Sequence, residues 1–113
     1  MKFSDLRDAN VTRQKEWPGN DQADTAFRGL EVAGEFGEVA EALKKYLRAQ
    51  RGIKGSTATL DDVASEMADS IIALDLLADL IGVDLGAAVA SKFNKTSEKY
   101  GLKTRMPENN QAD

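Results

Sequence analysis

Cysteine and histidine are both absent from the sequence. The lack of cysteine excludes disulfides, thiolate metal ligands and a thiol nucleophile, and the lack of histidine also excludes catalysis by a Ser–His–Asp or Cys–His arrangement. The ordinary Cys/His forms of a structural zinc site are excluded for the same reason. Acid–base or metal chemistry must therefore rest on Asp, Glu, Lys or Tyr, and carboxylate ligands favour hard cations such as Mg²⁺ or Mn²⁺.

Long apolar runs and a basic excess are lacking too. The longest apolar run is far short of the ~20 residues that a membrane span needs, and the first residues, MKFSDLRDAN, contain no hydrophobic signal region. We therefore expect a soluble, cytoplasmic protein with no membrane partner. The net charge of −4 argues against nucleic acid as a partner, because a surface that follows phosphates normally needs a basic excess.

The length of 113 residues corresponds to one domain with a modest core, and small cores often gain from self-association. We assign the domain to residues 1–102. The remaining stretch, KTRMPENNQAD at 103–113, is polar and is expected to form a mobile C-terminal tail.

The periodicity of apolar residues predicts an all-α fold with four helices and no strand. The helices are expected at about residues 3–16, 25–49, 60–81 and 85–100. Thr59 followed by Asp62 predicts a capping box at the third helix, and Asp84 predicts the N-cap of the fourth. Gly82 and Gly101 are expected to end these two helices.

Two pairs of carboxylates lie close to apolar helix faces. Glu35 and Glu38 are three positions apart beside the apolar stripe of the second helix, and Glu66 and Asp69 have the same spacing on the third. Carboxylates in a drying interface cost several kcal/mol unless they are protonated, paired or bound to metal. If the two pairs face each other, a divalent cation resolves the repulsion; the alternative is that these acids stay hydrated near the helix ends.

Other positions on the same helices are expected to be ordinary. The apolar stripe of the second helix is expected to be buried; it comprises Val32, Phe36, Val39, Leu43 and Leu47. Asp75 and Asp79 point to a different side of the third helix from Glu66 and are interpreted as solvated charges.

Two segments carry a resemblance to a known family. GEFGEVAEALKKY, followed after a linker by EMADSIIALDLLADLIGVDL, resembles the MazG-like family of the all-α nucleoside triphosphate pyrophosphohydrolase superfamily. The metal signature of that superfamily is a Glu-x-x-Glu helix followed by a Glu-x-x-Asp helix. This chain matches it at residues 35–38 and 66–69. Many members carry a further Glu where this chain has Gly34. This difference leaves open whether Glu31, one turn earlier, supports the metal ligands without binding the metal itself. The likeness covers roughly residues 5–105.

The resemblance implies a MazG-type fold, similar to a four-helix bundle and assembled as a homodimer or homotetramer. It implies Mg²⁺-dependent cleavage of a nucleoside or deoxynucleoside triphosphate to the monophosphate and pyrophosphate, as in house-cleaning of the nucleotide pool, with Mn²⁺ as a possible substitute. Glu35, Glu38, Glu66 and Asp69 are then the metal ligands. A glutamate, Glu38 or Glu35, is the candidate catalytic base.

Four further residues are candidates for binding the substrate. The stretch KFNKTSEKYG resembles the final helix of the family, which contacts the triphosphate, so Lys92, Asn94 and Lys95 are expected to bind phosphate oxygens. For Lys92 the alternative is an aliphatic stem that packs while its ammonium reaches solvent. Trp17, beside a Pro-Gly turn, either stacks on a nucleobase or covers one end of the bundle.

Two other functions remain open at this point. One is a related pyrophosphohydrolase of narrower specificity, either dUTPase-like or directed to phosphoribosyl-ATP. The other is a non-catalytic helical dimerisation or regulatory module. The second is disfavoured by the four acids, because a scaffold gains nothing from unpaired carboxylates in an apolar stripe.

Overall fold

A computed structural model describes residues 1–108 as four α-helices without a strand in that range. The helices are α1 (Phe3–Glu16), α2 (Thr25–Gln50), α3 (Leu60–Leu80) and α4 (Leu85–Lys99). A single 3-10 turn, Asn20–Gln22, lies between α1 and α2. The all-α prediction is confirmed, with each helix boundary within one residue of expectation.

The helix ends follow from their capping residues. The Thr59 hydroxyl accepts a hydrogen bond from the Asp62 amide at 3.1 Å, and the Asp62 carboxylate accepts one from the Thr59 amide at 2.8 Å. Asp84 caps α4 by accepting from the Ala87 amide. Gly82 has φ +77°, a left-handed conformation that costs glycine little, and it ends α3. These predicted caps are confirmed.

The linker of residues 51–59 joins α2 and α3 into a helical hairpin, which contains the most extensive packing between helices in the described part of the chain. Helix α1 packs against α3, and α4 packs chiefly against α1. The buried apolar side chains of residues 1–108 are small; they are Ala42, Val63, Ala73, Ala78 and Ala90. Little apolar surface is therefore sequestered within one copy of the chain.

A polar clasp joins α1 to α3 around Asp75, which is 1% exposed. The Arg7 guanidinium donates to both Asp75 carboxylate oxygens at 3.0–3.2 Å, and the Asn10 amide donates at 3.0 Å. The interpretation of Asp75 as a solvated charge is therefore wrong. Its side of α3 does face away from Glu66, but α1 covers it. Asp79, one turn later, is exposed as expected, with its carboxylate 3.8 Å from the Arg7 guanidinium.

Large apolar side chains remain exposed along the helices. Phe36 is 51% exposed and Leu43 is 44% exposed, whereas Val32, Val39 and Leu47 are half-buried. The expected burial of the α2 stripe is therefore wrong for Phe36 and Leu43, because no other helix in residues 1–108 covers them. The radius of gyration is 17.2 Å, against about 13 Å for a compact domain of this length. Nevertheless, no helix in residues 1–108 combines the length and apolar character needed to cross a bilayer.

The first part of the polar tail turns back onto α4. The Asn94 side-chain amide donates to the Met106 carbonyl at 2.8 Å and accepts from the Met106 amide at 2.7 Å. This pair of bonds fixes the backbone at Met106. Mobility of the tail stays a prediction, and residues 109–113 lie outside the described part of the chain.

Candidate functional site

Three carboxylates from α2 and α3 converge where the two helices of the hairpin meet. One carboxylate oxygen each from Glu35, Glu66 and Asp69 lies within 4.8 Å of the others. Glu35 and Glu66 are half-buried, whereas Asp69 is exposed. The i, i+3 spacing places Glu66 and Asp69 on one face of α3, and packing against α2 brings Glu35 to that face. We call these three residues the carboxylate cluster.

The electrostatics of the carboxylate cluster are those of like charges held together. The pKa of Glu35 is raised, first by desolvation and then by the negative charges of Asp69 and Glu66, with smaller contributions from Glu38 and Glu31. Both effects disfavour the ionised carboxylate. A bound cation reverses this balance, because it favours the charged form of each ligand.

The two acids of α2 nearest to Glu35, Glu38 and Glu31, lie outside the carboxylate cluster. Glu38 is exposed and is not among the three carboxylates that meet, although its charge reaches Glu35. Glu31 accepts a hydrogen bond from Arg28 at 2.9 Å. Glu31 is thus paired with an arginine of its own helix, and its part in a metal site stays a prediction.

A cavity of about 450 Å³ opens beside the carboxylate cluster. Its wall includes Glu35 and Asp69 on one side and the aromatic residues Trp17 and Phe27. Ile72, Ala73 and Leu76 contribute apolar surface from α3. A volume of this size is in the range of small-molecule sites, which are typically apolar with a few polar groups. Glu35 and Asp69 belong both to the cavity wall and to the carboxylate cluster. A ligand in the cavity would therefore lie next to the carboxylate cluster.

Arg28 forms a buried hub in the wall of this cavity. Its guanidinium donates to Glu31, to the Gln14 amide oxygen at 2.8 Å and to the Asn20 amide oxygen. The guanidinium carbon also lies 5.7 Å from the centre of the Phe27 ring. One side chain of α2 thereby holds α1 and the 3-10 turn in place, and with them the cavity wall.

Trp17 occupies the turn between α1 and α2, where Pro18 and Gly19 prevent α1 from continuing. It lines the cavity and is 59% exposed. An indole that covered the end of a bundle would be largely buried, so its exposure in a cavity wall favours a ligand-stacking role over a packing role.

The candidate phosphate-binding residues lie elsewhere in the single chain. Lys92 and Lys95 are exposed on α4, and neither lines the cavity within the described residues. Asn94 is also absent from that wall and is bonded to Met106. The structure therefore brings Trp17, Glu35 and Asp69 to one cavity and does not bring the α4 residues there.

Sequence reasoning missed Gln14, Asn20 and Arg28 as parts of the cavity wall. A partial signal was present, because Arg28 precedes Glu31 by three positions, which is the spacing of a helical ion pair. Gln14 and Asn20 lie 14 and 8 positions before Arg28, outside its helix, and carried no such signal. Comparison of the chain with protein-family models, with curated proteins and with solved structures finds no match.

Proposed function

We propose that this chain is a MazG-like pyrophosphohydrolase that cleaves a nucleoside or deoxynucleoside triphosphate to the monophosphate and pyrophosphate. One observation carries the proposal: the carboxylate cluster of Glu35, Glu66 and Asp69 adjoins a cavity lined by Trp17. A nucleotide has a flat base that stacks on aromatic rings and a polyphosphate that needs cations, and this arrangement suits both ends of the molecule.

The donor set of the carboxylate cluster fits Mg²⁺, or Mn²⁺ in its place. All three groups are carboxylates, the ligands that hard cations prefer, and their crowding disfavours the metal-free state. Glu35, Glu66 and Asp69 would hold the ion. Bound Mg²⁺ supplies neutralisation of phosphate charge and lowers the pKa of water.

Glu38 is the proposed general base, with Glu35 as the alternative. Glu38 lies one turn beyond Glu35 on α2 and is exposed, so its carboxylate can accept a proton from an attacking water and return that proton to bulk solvent. Glu35 is the alternative, because it is the α2 carboxylate that meets Glu66 and Asp69. The role of Glu38 as a fourth ligand remains part of the proposal.

Self-association is the second part of the proposal, as a homodimer or homotetramer. Exposed Phe36 and Leu43 on α2 and Phe93 on α4, together with the extended shape, favour burial of these faces against further copies of the chain. In such an assembly, α4 of a second copy could supply Lys92 and Lys95 to the phosphate groups.

Product analysis tests the proposed reaction. The full chain is incubated with Mg²⁺ and a panel of ribo- and deoxyribonucleoside triphosphates, and the products are identified by ³¹P NMR. We expect monophosphate and pyrophosphate. Formation of diphosphate and orthophosphate would contradict the proposal, whereas cleavage confined to one substrate would favour an enzyme of narrower specificity. Absence of any turnover would favour the non-catalytic helical module.

A further inference from the structure

The cavity wall carries two side-chain amides whose orientation is fixed, and we infer that they select the nucleobase. Gln14 and Asn20 would donate hydrogen bonds to a carbonyl oxygen at the edge of the base. The site would then favour oxo-substituted bases over the corresponding amino-substituted ones. This inference rests on the proposed function and deepens it, since it names the class of base.

The orientation of both amides follows from Arg28. A guanidinium has five donors and no acceptor, so only an amide oxygen can face it. Arg28 Nη2 contacts the Gln14 Oε1 atom at 2.8 Å and also contacts Asn20 Oδ1. Arg28 is 7% exposed and its Nη1 is held by Glu31, which restricts its own rotation. Rotation of either amide by 180° would place two donors against each other.

The amide nitrogens of Gln14 and Asn20 are consequently left for a ligand. Both side chains line the cavity, as does Trp17. Within residues 1–108 both amides are recorded only as acceptors, through their oxygens. Because no buried side-chain nitrogen in that range lacks a partner, the two amide nitrogens are accessible to solvent. Gln22 differs from them, because its amide nitrogen donates to Asp21 at 3.1 Å. Gln14, Asn20 and Trp17 also line a smaller neighbouring pocket. In our inference, the two amide nitrogens donate to the edge of a base that stacks on Trp17 from the larger cavity.

Fixed donors discriminate between carbonyl and amino groups on the same ring. Uracil and cytosine differ at position 4, where uracil carries an oxygen and cytosine an amine; hypoxanthine and adenine differ in the same way at position 6. An amine opposite an amide N–H leaves two donors unpaired in the cavity, whereas a carbonyl accepts from the amide. A base that displaces water from these donors and offers no acceptor in its place is therefore disfavoured.

The first arm of the test compares matched substrates on the wild-type chain. One pair of pyrimidines and one pair of purines are compared, so that either ring size is covered. In the pair that the cavity accepts, we expect kcat/KM to be about tenfold or more higher for the oxo-substituted base, that is, for dUTP over dCTP or for dITP over dATP. Calorimetric binding of the four corresponding monophosphates should show the same order. Equal values in both pairs, or preference for the amino base, would overturn the inference while leaving the pyrophosphohydrolase proposal intact.

The second arm changes the donors without changing their shape. Gln14→Glu and Asn20→Asp keep an oxygen toward Arg28 and lose the N–H donors, so the fold is retained by a stronger ion pair. We expect the oxo preference to fall to about unity or to invert in at least one variant, in hydrolysis and in monophosphate binding. Gln50→Glu, an exposed amide-to-acid change at the end of α2, controls for added charge. An unchanged preference in both variants would overturn the inference, and failure of the wild type to hydrolyse any triphosphate would instead overturn the proposed function.

Discussion

Neutralising one member of the carboxylate cluster should have opposite effects on stability without and with metal. Without metal, Glu35 is repelled by Asp69 and Glu66, which contribute to its raised pKa. Replacing a neighbour with its amide removes one charge and nearly preserves shape. Glu66→Gln and Asp69→Asn should therefore be as stable as wild type in EDTA, or more stable.

Saturating Mg²⁺ should reverse this order, because only the intact carboxylate cluster gains the full binding free energy. A ligand at a hundredfold excess over its Kd stabilises the folded state by about 2.7 kcal/mol. For a domain of this size, that corresponds to a rise in Tm of roughly 10 °C. The assay is thermal unfolding followed by circular dichroism, in EDTA and across a Mg²⁺ titration.

The matched control is Asp79→Asn. Asp79 is an exposed carboxylate of α3 that lies outside the carboxylate cluster, so its variant should show the wild-type shift. Asp75 is unsuitable as a control, because it is buried against Arg7 and Asn10. The reasoning is refuted if Glu66→Gln and Asp69→Asn show the same Mg²⁺-induced rise in Tm as wild type, since their carboxylates would then hold no ion.

Three further predictions concern the titration of Glu35, the cavity and the clasp. Because the pKa of Glu35 is raised in the fold, its protonated form stabilises the metal-free protein; as pH rises from the ordinary glutamate pKa through the raised one, that stability is lost. The Mg²⁺-induced rise in Tm should grow over the same window, and a pH-independent rise would contradict a role for Glu35. Trp17→Ala should weaken nucleotide binding by about 1–3 kcal/mol in calorimetry with little change in Tm, and a large loss of stability at equal affinity would instead indicate a packing role. Asp75→Asn should lower the free energy of unfolding in urea by about 3 kcal/mol, because it disrupts the buried pair with Arg7; a loss as small as that of exposed Asp79→Asn would show that the clasp contributes little.

The helices could be predicted from the sequence because their signals are local. Thr59 and Asp84 cap helices through bonds to amides three residues away, and Gly82 ends α3 by its own conformation. Each of these features depends on a few neighbouring residues. Asp24, which caps α2 through the Phe27 amide, carried the same kind of signal and was overlooked.

The packing of the helices could be predicted less well, since it depends on contacts between distant residues. Helical periodicity showed that Asp75 and Glu66 face different sides of α3, but it could not show that α1 covers one of them. Arg7 and Asp75 are 68 positions apart. The exposure of Phe36 was missed for a related reason, because an apolar stripe indicates that a face is to be covered without indicating whether the same chain covers it.

The candidate site, too, could be predicted where its signals are local and not where they depend on contacts between distant residues. Spacing on α3 correctly placed Glu66 and Asp69 together, and the pairing of α2 with α3 brought Glu35 to them. The same argument could not separate Glu35 from Glu38, because both lie on the shoulder of α2 and only the actual packing decides which carboxylate turns inward. The hub at Arg28 joins three elements and could be recognised only in three dimensions.

Pyrophosphate release by the full chain, followed continuously before and after chelation, tests the central claim most directly. A triphosphate that the chain accepts is supplied with Mg²⁺, EDTA is then added in excess, and Mg²⁺ is finally restored. We predict steady release of pyrophosphate that stops on chelation and resumes on restoration, with a rate lower by orders of magnitude for Asp69→Asn. Undiminished turnover in EDTA, or a wild-type rate for Asp69→Asn, would contradict the assignment of Glu35, Glu66 and Asp69 as a catalytic metal site.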